Sequence, residues 1–191
     1  LFDAGTDGVK AGIASGAACA TGPETAVSVP PVTAGLWTVS VAKHYEGTVW
    51  LDGGVRDRYD AIIAASVAHG VMGGYIFVRT DAAPFQFEKN GIRYATYRGS
   101  ASEEERKERE DNFPELYPQR DYKAPEGLNG SVIISGSLEQ MIFEYNRALR
   151  TTMWYVRAKN PEELRKYGKL LPLSQTGVEE LKKTTLFKLV E

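Results

Sequence analysis

Gly8-Val9-Lys10-Ala11-Gly12-Ile13-Ala14-Ser15-Gly16-Ala17-Ala18-Cys19-Ala20-Thr21 is the stretch on which the reading of this chain turns. A short apolar strand, Gly8 to Ile13, runs into a turn of small residues that lasts through Gly22, and a helical stretch follows from about Thr33 to Tyr45. The same order returns twice. Thr48-Val49-Trp50-Leu51 ends in Asp52-Gly53-Gly54 and leads to a helix from about Tyr59 to His69, in which Ile62, Ile63, Ser66 and Val67 keep the spacing of a core-facing stripe. Gly70-Val71-Met72-Gly73-Gly74-Tyr75 opens a third unit. Strands alternating with helices predict an α/β fold with a parallel sheet, whose functional groups collect at the C-terminal ends of the strands. Cys19, Asp52 and Gly74 fall there.

After Pro84 the pattern changes. Residues Gln86 to Thr96, centred on Asn90-Gly91, read as a β-hairpin with a tight turn. The run Glu103 to Asp111 is charged and has no apolar stripe, so it reads as a solvated helix or a loop. Pro114, Pro118 and Pro125 exclude regular helix before Gly127. A helix is expected from about Leu138 to Leu149, and another where Asn160 supplies the N-cap and Pro161 the first helical position.

Composition narrows the function classes. The chain has 191 residues, 42% hydrophobic and 25% charged, enough for one sizeable core. Its 23 basic and 25 acidic residues are interspersed and give a net charge of -2, so neither a nucleic acid nor a membrane surface is an expected partner. A single cysteine excludes an internal disulfide framework, and no apolar run nears the roughly 20 residues that span a bilayer. The expected setting is reducing and cytoplasmic. The opening Leu1-Phe2-Asp3-Ala4-Gly5 has the character of a helix end within something longer.

Small residues around Cys19 let backbone groups approach a ligand closely, and a thiol in such a loop is either a nucleophile or an inert small hydrophobe. Asp52 at its strand end is equally able to grip a diol or cap a helix. Taken together and in order, the segments say more. Val9 to Thr21 resembles the catalytic cysteine loop of IMP dehydrogenases and GMP reductases, roughly V-G-I-G-x-G-S-x-C-x-T. Val29-Pro30-Pro31-Val32-Thr33-Ala34 resembles V-P-Q-x-T-A, Leu51 to Arg56 resembles A-D-G-G-I-R, and Val71-Met72-Gly73-Gly74 resembles V-M-L-G. Tyr97-Arg98-Gly99-Ser100 is similar to Y-R-G-M, Pro125-Glu126-Gly127 to P-E-G, and Tyr155 to Lys159 to Y-x-G-A-K.

The resemblance implies the C-terminal part of a (β/α)8 TIM barrel, residues 1 to 191, with the catalytic loop at 12 to 22 and a flap at about 97 to 127. It implies IMP dehydrogenase activity, the NAD-dependent oxidation of IMP to XMP through a covalent cysteine adduct; alternatives are NADPH-dependent GMP reductase and a paralogue that only binds or regulates. Cys19 would be the nucleophile, Thr21 would help handle a proton or water, and Glu126 would serve in acid/base work or purine contact. Asp52 would hold the ribose, and the N–H groups of Gly54 and Gly74 with the Tyr97 hydroxyl the 5′-phosphate; Gly53, Gly73, Gly99 and Ser100 would also bind substrate, Ser100 in the loop that touches the purine. Carbonyls of Ala14, Gly16 and Cys19 would bind potassium. Purine nucleotides (IMP, XMP or GMP) would be the ligands, and a homotetramer the assembly.

The departures are specific. Ala17 stands where the family has a phosphate-binding serine, Tyr75 where it has another, Ala14 replaces a loop glycine and Ser100 a methionine. No Arg-Tyr dipeptide of the kind that activates water in IMP dehydrogenases lies between Tyr97 and Glu126; the nearest approach is Arg120-Asp121-Tyr122. A closed barrel takes roughly 250 residues, so three βα units are expected to need five more from elsewhere and to leave strand edges open to association.

Overall fold

In the computed structural model, which describes residues 1–117 and 124–182, two three-stranded sheets carry the fold. The first is parallel, in the order β1 (Gly8–Ala11), β2 (Thr48–Asp52), β3 (Gly70–Met72). The second is antiparallel, in the order β4 (Gln86–Lys89), β5 (Ile92–Arg98), β6 (Asn129–Ile133).

The parallel sheet follows from the alternation read above. Its register sets Lys10 beside Trp50 and Gly70 on one face, and Ala11 beside Leu51 and Val71 on the other. The second face is covered by α2 (Pro31–Ala42) and α3 (Arg58–Val67), so Val49, Leu51, Ala64 and Val67 are buried together. Helix α3 is capped by Asp57, whose carboxylate accepts the Asp60 N–H at 3.0 Å. The long α6 (Leu138–Tyr155) lies against α3, brings Met141 and Tyr145 onto the same core, and ties Arg58 to Glu144 at 3.7 Å. On the other face of the sheet Trp50 and Met72 are exposed among the described residues.

The hairpin forms as expected: Asn90 and Gly91 both have positive φ, 53° and 75°, the combination a two-residue turn of this hand requires. Several boundaries differ from the sequence reading. Helix α2 starts at Pro31 and ends at Ala42, with the chain turning before Gly47. Helix α6 continues to Tyr155 through Thr151 and Thr152, poor helix formers whose hydroxyls donate to the carbonyls of Arg147 and Ala148 at 3.0 and 3.1 Å. The short α1 (Thr21–Thr25), α4 (Tyr75–Val78) and α8 (Gln175–Lys182) were not anticipated, nor was β6, whose Asn-Gly-Ser start hides its strand character. The charged run is helical, α5 (Glu103–Asn112), capped by the fully buried Ser102. Asn160 caps α7 (Pro161–Tyr167), accepting the Glu163 N–H at 2.8 Å. The Arg120-Asp121-Tyr122 segment lies outside the described residues.

Candidate functional site

The loop between β1 and α1 is held by its own backbone. Gly12 has φ 149°, and a Cβ there would fall on the Asp52 carbonyl oxygen, so the chain leaves β1 in a conformation and a space that only glycine suits. Ala14 follows in the left-handed region at φ 60°. Ser15 donates its hydroxyl to the Asp52 carbonyl at 2.6 Å, which joins the loop to the end of β2. The Cys19 N–H donates to the Gly16 carbonyl at 3.1 Å. From the far side, Ala20 N–H donates to the Glu126 carbonyl at 2.7 Å and Leu128 N–H to the Ala18 carbonyl at 2.9 Å. Cys19 and Gly127 are thereby paired, and the return of the flap region is docked on the cysteine loop.

This loop walls a cavity of about 570 Å³, whose lining combines Ala14 to Ala17 with Gly53, Gly54, Gly73, Gly74 and Tyr97. A volume of that size lies within the range of about 300–1,000 Å³ that small-molecule sites occupy. Gly74 is pressed against the Tyr97 ring, where any side chain would collide with the phenol oxygen. Partial burial raises the Tyr97 phenol above its ordinary value, so at neutral pH it is a protonated hydroxyl able to donate.

Cys19 is partly exposed, and its thiol donates to the Thr21 hydroxyl at 3.2 Å. Asp52, one residue outside the cavity lining, is paired with Lys10 at 3.1 Å; both side chains are largely exposed, and a pair of this kind contributes about 0–1 kcal/mol. The pairing therefore restrains the carboxylate lightly. Glu126 is half-buried and reaches the loop through its main chain. Gly99 is buried, its N–H donating to the Leu128 carbonyl at 2.8 Å, beside Ala18 and Gly127. Ser100 lies in a neighbouring cavity of about 430 Å³, and its carbonyl is held by Arg109. Sequence reading missed Ser15, Ser28 and Arg56 as lining residues. The signal for Ser15 was available: a polar residue among glycines and alanines at a strand end. Among the described residues no group of three or more His, Cys, Asp or Glu is placed to hold a metal, and no helix is long and apolar enough to cross a membrane.

The IMP dehydrogenase / GMP reductase domain matches residues 1–183. Inosine-5′-monophosphate dehydrogenase of Streptococcus pyogenes is 34% identical over 184 residues, which is 94% of this chain and 37% of that protein. The enzyme of the same name from Aquifex aeolicus is 32% identical over 182 residues, again 94% of this chain and 37% of the relative. A crystal structure of a GMP reductase from Trypanosoma brucei, in complex with guanosine 5′-monophosphate, superposes with a TM-score of 0.83 at 28% identity, covering 98% of this chain and 38% of that one. The chain thus spans somewhat over a third of the length of the relatives it matches. With the domain match running over nearly its whole length, this chain belongs to the IMP dehydrogenase/GMP reductase family.

Proposed function

We propose that the chain is the cysteine-bearing part of an IMP dehydrogenase, oxidising IMP to XMP with NAD through a covalent adduct on Cys19. The observation that carries this is the partly exposed Cys19 thiol, hydrogen-bonded to Thr21 on the same loop that walls the cavity against Gly53, Gly54 and Gly74. In the resting site the thiol donates to Thr21 Oγ1. In the reacting state the Thr21 hydroxyl would turn and donate to the sulfur. Cys19 Sγ then forms a bond to the purine C2, from which a hydride departs, and water displaces the sulfur, releasing XMP and returning the thiol. Glu126 is the candidate acceptor for that water's proton. Asp52 would take the ribose hydroxyls, loosening its exposed contact with Lys10. Gly99 and Ser100 would border the purine side.

The cavity accounts for one mononucleotide, and the dinucleotide would be held by surface beyond its lining residues. NAD, when bound, supplies the acceptor for the departing hydride. For potassium, the carbonyls of Ala14, Gly16 and Cys19 are the right donor type, and Gly16 keeps a lone pair after accepting the Cys19 N–H. The remaining oxygens would come from outside this loop.

The three parallel strands would be the last three of an eight-stranded barrel. In support, the sheet face away from the helices carries Lys10, Trp50 and Asp52, polar and aromatic groups suited to a barrel interior near its mouth. The other strands would complete both open edges, and a homotetramer of such barrels is the proposed assembly.

GMP reductase is the second reading, favoured by the superposition on a GMP-bound reductase and by the lack of an Arg-Tyr pair between Tyr97 and Glu126. Absorbance of the reduced cofactor separates the two on the full-length protein: growth with IMP and NAD supports the first, decay with GMP and NADPH the second. Silence with both would reject the enzymatic readings and leave a paralogue that binds.

A further inference from the structure

The phosphate end of the cavity presents a chemical problem. Ala17 has no hydroxyl, and Tyr75 puts a ring where the family motif has a small donor. A phosphoryl group placed there would be left with backbone donors unless other side chains serve it. One does stand there: Arg56 carries the only formal charge among the described residues that line this cavity. It sits on the wall shared with a second cavity of about 270 Å³.

Arg56 is also uncommitted. Its main-chain N–H donates to the Asp60 carboxylate at 3.0 Å, but its guanidinium has no ion pair or hydrogen bond among the described residues. The nearby arginines are engaged. Arg58 is paired with Glu144 at 3.7 Å, and Arg79 lies over the Tyr75 ring at 5.4 Å from its centroid. That stacking, together with packing against Val78 and Ala95, holds the half-buried Tyr75 ring at the cavity wall. The phenol oxygens of Tyr75 and Tyr97 have no hydrogen-bond partner among the described residues. An anion is thus offered one free guanidinium fork and two free hydroxyls. The second cavity is of mixed charge, with Asp57 and Glu144 lining it beside Arg58 and Arg79, whereas the first holds Arg56 with no carboxylate among its lining residues.

We propose that the Arg56 guanidinium, aided by the hydroxyls of Tyr75 and Tyr97, binds the 5′-phosphate and takes over the work of the absent serine hydroxyls. The proposal rests on the nucleotide reading of the cavity given above. Arg56 then determines specificity: it separates a nucleotide monophosphate from its nucleoside and does not touch the purine.

Calorimetric titration of the full-length protein with IMP and with inosine tests this. The wild type should bind IMP more tightly than inosine. Arg56→Gln should weaken IMP about ten- to a hundredfold, the range for one charge-assisted contact, and leave inosine unchanged. Arg56→Lys should recover part of the loss, since a point charge keeps the attraction without the fork. Tyr75→Phe should cost IMP a few-fold and inosine nothing. Unchanged inosine binding shows in the same experiment that the variants are folded. IMP affinity unaffected in Arg56→Gln, equal losses for IMP and inosine, or a wild type indifferent to the phosphate would each overturn the proposal. The activity reading is judged separately, by cofactor turnover: a protein silent with both cofactors yet showing the Arg56-dependent preference would support the phosphate site and reject the enzyme.

Discussion

One loop carries two groups of residues that relate differently to the family pattern. At its far end, outside the cavity lining, Cys19 and Thr21 match the pattern, and their side chains are in contact at 3.2 Å. On the cavity wall, at the proposed phosphate end, Ala17, two residues earlier, and Tyr75 both depart from it. What the difference teaches is that the loop owes its shape to its backbone. Gly12 against the Asp52 carbonyl, Ser15 on the same carbonyl, and the hydrogen bonds to Glu126 and Leu128 fix the path. None of them uses the side chain at position 17, so that residue is free to change without moving the thiol. Chemistry and phosphate affinity are therefore separable properties of this site.

The largest expected effect lies at the reactive end. Cys19→Ala removes the only thiol in the chain, and turnover should fall on the order of 10⁶-fold, as when a serine protease loses its nucleophile. Covalent labelling by 6-chloro-IMP, read by mass spectrometry, should disappear, while IMP affinity stays within a few-fold. A variant that still turns over would end the covalent mechanism. Gly12→Ala strikes the frame common to both ends. An L side chain at φ 149° is strained, and its Cβ would meet a backbone oxygen that cannot swing away. A loss of about 2–4 kcal/mol is expected, seen as a fall in Tm with both labelling and IMP binding reduced together. If only one of the two suffered, the ends would not share a backbone frame.

The sequence disclosed the parallel sheet because its signals are local. Each strand is a short apolar run ended by glycines, and Asn160 announces its helix start by capping chemistry. The hairpin was legible for the same reason, from Asn90-Gly91 alone. Strand β6 was not, since Asn129-Gly130-Ser131 carries no alternation and pairs only because β5 offers it an edge. At the site, Gly53, Gly54, Gly73, Gly74 and Tyr97 line one cavity, whereas Cys19, Thr21, Asp52 and Glu126 are not among its lining residues. Arg56 escaped because its importance lies in what its neighbours do. Arg58 and Arg79 are satisfied by Glu144 and Tyr75, contacts across the fold that no spacing rule contains.

Ala17→Ser sharpens the comparison from the other side. It returns a hydroxyl to the proposed phosphate end without touching the frame, so IMP affinity should rise about tenfold or more, the value of one added hydrogen bond to a charged group. The maximal rate of Cys19 labelling at saturating 6-chloro-IMP should not change. A faster saturated rate would mean that position 17 acts on the thiol after all, and the separation of the two ends would fail.

The smallest effect concerns the frame at the opposite end of β2. His69 Nδ1 accepts the Val49 N–H at 3.1 Å, a bond available only while that nitrogen is unprotonated. Partial burial lowers the imidazole below its ordinary value of 6.5, and the nearby Arg165 adds to the lowering. The unfolded chain therefore takes up the proton more readily than the folded one. The contribution of this neutral ring is fully present above the unfolded value and is lost as the pH drops through it towards the lower folded value. Lowering the pH from roughly 7.5 to roughly 5.5 should bring a small fall in Tm, and His69→Gln, which keeps an acceptor but cannot titrate there, should flatten that fall. The same pair of proteins dissects the pH profile of Cys19 labelling. Loss of rate in acid that comes from the frame should shrink in His69→Gln. Identical melting curves for the two proteins across this range would mean that the Val49 bond does not help hold β2.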